Sequence, residues 1–253
     1  MDFPYTVESW MVGALVCGLA KPLARVALVT LAFYNSKNIV VSGLTSLNSQ
    51  MFHMVVYGCT NSKLQGLKIL ASASSPNTDG IHLQLSSGVS ILNSGIATGD
   101  DCVSIGPGNS NLWIKNVACG PGHGISIGSL GWDMQEPGIQ NVTVKSVTFK
   151  GTDNGVRIKT WARASSAYVK GILFQHLVMV NVQNPVIIDQ VSGVKISDVT
   201  YQNIHGTSEH KLPKQYPCSR IKLEDVNLTY KTQPAVASCL NAGGTTSGLV
   251  APT

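Results

Sequence analysis

VSILNSGI at residues 89–96, VTVKSVTF at 142–149, VKISDVTY at 194–201 and IKLEDVNL at 221–228 share one pattern, apolar-x-apolar-x-x-apolar-x-apolar. Degenerate copies begin near Ile39, Ser62, Val89, Leu112, Val142, Ile172, Val194 and Ile221. Their spacing, about 22 to 30 residues, is the length of one solenoid turn holding several short strands. A second column lies in the same turns: DGIHL (79–83), DCVSI (101–105), HGISI (123–127), NGVRI (154–158) and NPVII (184–188). Successive side chains of a strand point to opposite faces, so Ile81, Val103, Ile125, Val156 and Val186 are expected inside, with Leu83, Ile105, Ile127, Ile158 and Ile188. These residues would form apolar ladders along the core. A leucine-rich repeat would need its L-x-x-L-x-L-x-x-N pattern and a helical half, and a propeller needs about 40 residues per blade with a Trp-Asp or kelch signature. Neither is found, which leaves an all-β parallel β-helix with no internal linker and no second domain.

Composition agrees. The chain has 253 residues, 43% hydrophobic and only 12% charged, with 25 glycines, enough to bury a large core as one domain. Val, Ile, Ser, Thr, Asn and Gly dominate over the residues that helical proteins favour. A net charge of +5 and a pI near 8.9 suit a polyanionic partner. That partner is either nucleic acid or an acidic polysaccharide, and the absence of a Lys/Arg-rich run with interleaved aromatics weighs against nucleic acid. The six cysteines, at 17, 59, 102, 119, 218 and 239, form no C-x-x-C pair, which argues against zinc ribbons and redox motifs and leaves disulfides open. Sequons at Asn141 and Asn227 fit a secreted chain. The apolar run 10–20 has the length of a signal-peptide core but follows Asp2 and Glu8 where positive charge is expected, and it is too short to span a bilayer. Residues 1–32 are therefore read as a terminal cap or a residual targeting segment.

Stacking the second column places Asp79, Asp101 and His123 at one angular position on three successive turns, with neighbouring strands about 4.8 Å apart. Asp100 precedes Asp101 at its bend, and Arg157 and Lys159 leave one face of a later strand. Singly, each has a plainer reading: an Asx turn at Asp79, a turn or cation ligand at Asp100-Asp101, a hydrogen-bonded surface His123, a solvated edge at Arg157 and Lys159. Together they put three carboxylates, an imidazole and two cations on one outer surface. Like charges packed this closely lower stability unless function or a cation requires them.

The segments SPNTDGIH (75–82), GDDCVSIG (99–106), CGPGHGISIGS (119–129) and RIKT (157–160) resemble, in order and spacing, the four signature motifs of the polygalacturonases, glycoside hydrolase family 28. The wider similarity, nearest to plant members, runs from about residue 33 to the C-terminus. It implies a right-handed, single-stranded parallel β-helix of the pectin-lyase-like kind, with residues 33–253 as its catalytic domain. It also implies hydrolysis of α-1,4 bonds in the homogalacturonan of pectin with inversion, by a secreted, cell-wall monomer without membrane attachment, cofactor or metal. By match of motif, Asp100 is the general acid, Asp79 and Asp101 hold and deprotonate the attacking water, and His123 supports the acid's protonation state. Arg157 and Lys159 are expected to grip galacturonate carboxylates, and Asn77 to bind substrate or position water. Inverting enzymes usually separate their carboxyls by about 6.5 to 9.5 Å, more than simple stacking gives Asp79 and Asp101.

The chain also departs from the family pattern. Gln190 runs directly into Val191-Ser192-Gly193 where relatives have a Tyr-containing loop, and SEHKLPKQYP (208–217) replaces a strand and the family partner of Cys218. The partner expected for Cys239 lies beyond Thr253, so only Cys102 and Cys119 retain both members of a family disulfide. The missing segments suggest a truncated form. Two other readings follow: a pectate-lyase-like β-elimination with calcium held by acidic residues and an arginine base, or a non-catalytic pectin-binding relative.

Overall fold

Each turn of the chain bends at two residues of left-handed backbone conformation, and these bends explain the polar doublet in the repeat. In the copy at Val89, Gly88 (φ 67°) precedes the first apolar residue and Asn93 (φ 49°) sits between the second and third. Asn111 and Asn116, Asn141 and Ser146, Gly171 and His176, Asp198 and Asn203, Arg220 and Asp225 repeat the arrangement with φ between 49° and 65°. Gly, Asn and Asp tolerate this region best, which is why they collect there. Corner asparagines also bond from turn to turn: Asn61 Nδ2 to Asn38 Oδ1 (2.6 Å), Asn116 to Asn93 (3.0 Å) and Asn141 to Asn111 (2.6 Å).

The computed structural model describes residues 6–8, 15–17, 29–189, 193–208, 218–230, 233–235 and 242–252. Among these, two sheets run along the coil. One stacks Leu15–Cys17, Leu31–Tyr34, Met54–Tyr57, Ile81–Gln84, Val103–Ile105, Ile125–Leu130, Asn154–Thr160 and Asn184–Asp189, all parallel. The other contains Ser87–Ala97, Ser110–Cys119, Ile139–Lys150, Tyr168–Val182, Lys195–Ser208 and Cys218–Tyr230, with one antiparallel pairing, Thr229 with Pro234. The parallel β-helix expected from the repeats is the fold of the protein.

Register fixes the core. Ile81, Val103, Ile125 and Val156 pair in one ladder and Leu83, Ile105, Ile127 and Ile158 in the next; all eight are fully buried. Each such side chain contributes about 1.5–3 kcal/mol before chain entropy is charged against it. In the larger sheet, Val142 pairs with Ile172, but Ile172 pairs with Val199 and Phe174 with Tyr201, whose rings stack 5.1 Å apart. The seventh repeat therefore begins at Val199, five residues after the Val194 that the pattern suggests. Gly206 occupies its last apolar position, opposite Met179, and breaks the pattern there. The segment one corner earlier satisfies the motif by chance, because successive corners are five residues apart.

Thr6–Glu8 and Leu15–Cys17 pair with Val40–Ser42 and Leu31–Phe33. The rest of the 10–20 run, the 190–192 junction, residues 209–217 and Cys239 lie outside the described residues, so the targeting reading and the two departures fall there. Among the described residues no helix is long and apolar enough to cross a membrane.

Candidate active site

Backbone bonds between turns hold the candidate residues at the mouths of three strands. Gly80 N–H donates to Asp101 O (2.9 Å), Cys102 N–H to Gly124 O (2.7 Å) and His123 N–H to Asp100 O (2.9 Å). His123 stands between Gly122 (φ 138°) and Gly124 (φ 89°), where a Cβ would come within 2.6 Å of Asp100 O and 2.1 Å of Asn154 O. No other residue fits so close to neighbouring backbone. Thr78 Oγ1 accepts from Gly99 N–H (3.0 Å), tying the bend before Asp79 to the one before Asp100. A Cys102–Cys119 disulfide joins the segment following Asp101 to the segment preceding His123.

The side chains do more than stack. His123 Nδ1 meets Asp100 Oδ1 at 2.9 Å, while its Nε2 faces Asp153 Oδ2 at 3.4 Å. Asp101 is almost fully buried; it accepts from Ser126 Oγ at 2.6 Å and from Lys159 Nζ at 3.0 Å. Asp79 is also buried and hydrogen-bonded to Ser104, whose hydroxyl lies 2.8 Å from His82 Nδ1. An oxygen from each of Asp100 and Asp101 and a ring nitrogen of His123 lie within 4.8 Å of one another. Arg157 turns towards Asp189 (Nη2 to Oδ2, 3.0 Å), and its buried Nε has no hydrogen-bond partner among the described residues. Asn77 is exposed on the turn before Asp79, with φ 55°.

This arrangement separates the three carboxyls electrically. Burial pushes Asp79 up to about 7, with Asp101 and Asp100 adding to the rise against the Ser104 hydrogen bond and the Lys159 charge. Burial also raises Asp101, outweighing Lys159 and Ser126. For Asp100 burial acts in the same sense, but the hydrogen bond and charge of His123 and the Asp101 N–H hold it below the usual range. His123 is raised in return, first by its hydrogen bond to Asp100, with Asp153 and Asp101 adding to this. The site thus pairs a histidine that holds its proton to higher pH than usual with a carboxyl that gives its proton up more readily, beside Asp79, whose carboxyl is raised to about 7.

Ser104, Ser126, Asp153 and Asp189 escape the motif reading. Their signal is register: His82, Ser104, Ser126 and Arg157 form one outward row, and Asp189 pairs with Lys159. Asp100, Asp101 and His123 are close enough to share a cation by distance. Calcium, however, takes six to eight oxygens, and here an imidazole and the Lys159 ammonium take the places next to the carboxylates. The donor set fits a calcium site poorly.

The family model for glycosyl hydrolases family 28 matches residues 20–248. A polygalacturonase from Prunus persica is 61% identical over 242 residues, covering 88% of this chain and 62% of the relative. An exopolygalacturonase from Platanus acerifolia is 44% identical over 251 residues, covering 91% and 67%. The chain thus spans about three fifths of the peach protein's length. Among solved structures, an endo-xylogalacturonan hydrolase from Aspergillus tubingensis superposes with TM-score 0.72 at 21% identity, over 87% of this chain and 69% of that one. A polygalacturonase from Erwinia carotovora ssp. carotovora gives 0.61 at 28%, over 88% and 58%.

Proposed function

Since the chain belongs to the glycosyl hydrolases of family 28, we propose that it hydrolyses α-1,4-galacturonosidic bonds of homogalacturonan in pectin, outside the cell in the wall, with residues 33–253 as the catalytic domain. The observation that carries this is the meeting of Asp79, Asp100, Asp101, His123 and Lys159 on one outer surface of a parallel β-helix. A polyanionic substrate also suits the net charge of +5.

Asp100 is the proton donor to the glycosidic oxygen, drawing on the proton held by its hydrogen-bonded His123. A bound galacturonate excludes water, which disfavours the charged His123–Asp100 pair relative to its neutral form, so the proton passes from imidazole to carboxyl as substrate binds. Asp101, paired with Lys159, and Asp79 in its ionised form orient the attacking water and take its proton. Lys159 neutralises the acidic cluster as well as attracting a uronate. Arg157, steadied by Asp189, offers its remaining donors to a substrate carboxylate, and Asn77 lines the approach. The Cys102–Cys119 bond joins the segments that carry these bends, which backbone hydrogen bonds hold in register.

Inversion is expected from the family, whereas the Asp100 and Asp101 oxygens are closer than the usual 6.5–9.5 Å carboxyl separation of inverting enzymes. The test is product analysis on polygalacturonate with purified protein and its Asp101→Asn variant, following reducing ends and, by NMR, the anomer first released. Saturated products of inverted configuration, lost in the variant, support the reading. Unsaturated products abolished by a chelator would replace it with β-elimination, and no products from a folded protein would leave a pectin binder.

A further inference from the structure

Two tryptophans stand together where the strands of the candidate site end. Trp132 follows Ile125–Leu130 and Trp161 follows Asn154–Thr160, the strand that carries Arg157 and Lys159. Leu130 pairs with Thr160, and Trp161 N–H donates to Leu130 O (2.8 Å), so the two indoles leave neighbouring turns side by side. Their rings meet edge to face at 5.0 Å and 73°. Both remain about half exposed, at 51% and 44%. Half-exposed indoles beside charged groups offer both an apolar ring face and a polar edge to a ligand.

The loop beneath them is built rather than loose. Glu136, itself buried, accepts backbone N–H bonds from Gly131 (2.7 Å), Trp132 (3.1 Å) and Asp133 (3.4 Å). Ser165 Oγ donates to Asp133 O and Ser166 N–H to Met134 O, each at 2.8 Å, stapling this loop to the one after Trp161. Arg163 lays its guanidinium over the Trp132 ring at 3.8 Å and donates to Trp132 O at 3.3 Å. A guanidinium stacked on an indole keeps edge donors free for a carboxylate.

Position then names the ligand. Trp161 lies two residues beyond Lys159, about 7 Å along the strand direction. The Trp132 and Trp161 turns are one and two turns from the Asp100–Asp101 bend, about 5 and 10 Å along the axis. Arg157 and Lys159 share one face of their strand and Trp161 continues that spacing, so a polymer lying along Lys159, which itself reaches Asp101, would bring a neighbouring sugar towards the tryptophans. In a galacto-configured ring, the axial hydroxyl at C4 leaves three C–H groups on one face, an apolar surface that matches an indole, while the uronate carboxylate matches an arginine.

We propose that Trp132, Trp161 and Arg163 form a binding subsite for a galacturonate residue near the scissile pair, an open indole face packing on its apolar face, the second indole flanking the ring and Arg163 binding its carboxylate. This rests on the galacturonan reading of the acidic cluster.

The test is calorimetric binding of di-, tri- and tetragalacturonate to Asp101→Asn protein, alone and combined with Trp132→Ala, Trp161→Ala, Trp132→Phe or Arg163→Gln. It is matched by KM on the same oligomers in the otherwise unaltered enzyme, and thermal midpoints check folding. The alanine variants should weaken tetragalacturonate binding at least about fivefold with little effect on digalacturonate. Trp132→Phe should retain most of the affinity, and Arg163→Gln should weaken binding of the free acid but not of its methyl ester. Unchanged affinities in folded variants, or an equal loss at every length, would overturn the subsite while leaving the catalytic reading intact. Failure of the parent protein to bind or cleave any oligogalacturonate would remove both.

Discussion

Lys159 sets its ammonium 3.0 Å from a carboxylate oxygen of Asp101, a residue 58 positions earlier in the chain and two turns away in the coil. Asp101 exposes only 3% of its side chain and Lys159 23%, so water screens the pair weakly. Removing one partner of a buried pair costs more than the pair contributes, because the remaining charge is stranded. Lys159→Met should therefore lower stability at pH 7 by about 3 kcal/mol in urea unfolding. The loss should shrink at pH 4, where Asp101, already raised by burial, takes a proton instead. An equal loss at both pH values would show that packing, not charge, is what Lys159 supplies.

Asp79 makes the opposite prediction. Its carboxyl sits at about 7 in the folded state, against about 3.9 in an unfolded chain, so between these values the folded protein holds the extra proton. Stability from this group is complete below about pH 4 and declines as pH rises through 7, on the order of a few kcal/mol in all. Asp79→Asn should raise the melting temperature at pH 8, change it little at pH 4, and abolish hydrolysis. A variant less stable than the parent at pH 8 would mean that the ionised carboxylate is a structural asset.

His123 lies between Asp100 and Asp153, with Asp101 also near, and the three carboxylates together raise it. Being raised, it keeps its proton to higher pH than a free histidine and gives it up as pH climbs through its folded value. If that proton supplies Asp100, activity should fall along the same limb. Asp153→Asn removes one source of the rise, so both the NMR titration of the His123 ring and the alkaline limb of kcat should move to lower pH together. Movement of the titration without the kcat limb would separate His123 from the acid.

How much of this was legible in the sequence follows from what each feature depends on. The ladders through Ile81 and Leu83 could be read because inward alternation and a repeat of 22 to 30 residues are both local patterns. The slip from Val199 to Val194 arose because two corners per turn, five residues apart, let one motif fit in two phases. Asp79, Asp100, Asp101 and His123 stand in conspicuous Gly-flanked bends. That His123 serves Asp100 came only with the resemblance of the motifs, and that Ser126 and Lys159 converge on Asp101 depends on rotamers across turns. Asp153 and Asp189, like Trp132 and Trp161, gain meaning only once register puts them beside their partners.

The Cys102–Cys119 bond closes a loop of 17 residues between the Asp101 bend and the segment before His123. Both cysteines are buried in the core, so replacing either by serine loses the cross-link and places a hydroxyl among apolar neighbours. Loop-closure entropy alone is about 3 kcal/mol for this length. Catalysis should respond differently from stability. The bends carrying Asp101 and His123 are also held by Cys102 N–H to Gly124 O and by His123 N–H to Asp100 O, so the site should re-form in the folded fraction. Cys102→Ala with Cys119→Ala, which leaves neither thiol nor hydroxyl at these two positions, should thus unfold at distinctly lower urea than the parent yet keep KM and the pH optimum at temperatures where it is folded. A raised KM or a displaced pH profile in fully folded protein would mean that the disulfide, and not the backbone ladder, aligns the acid with its histidine.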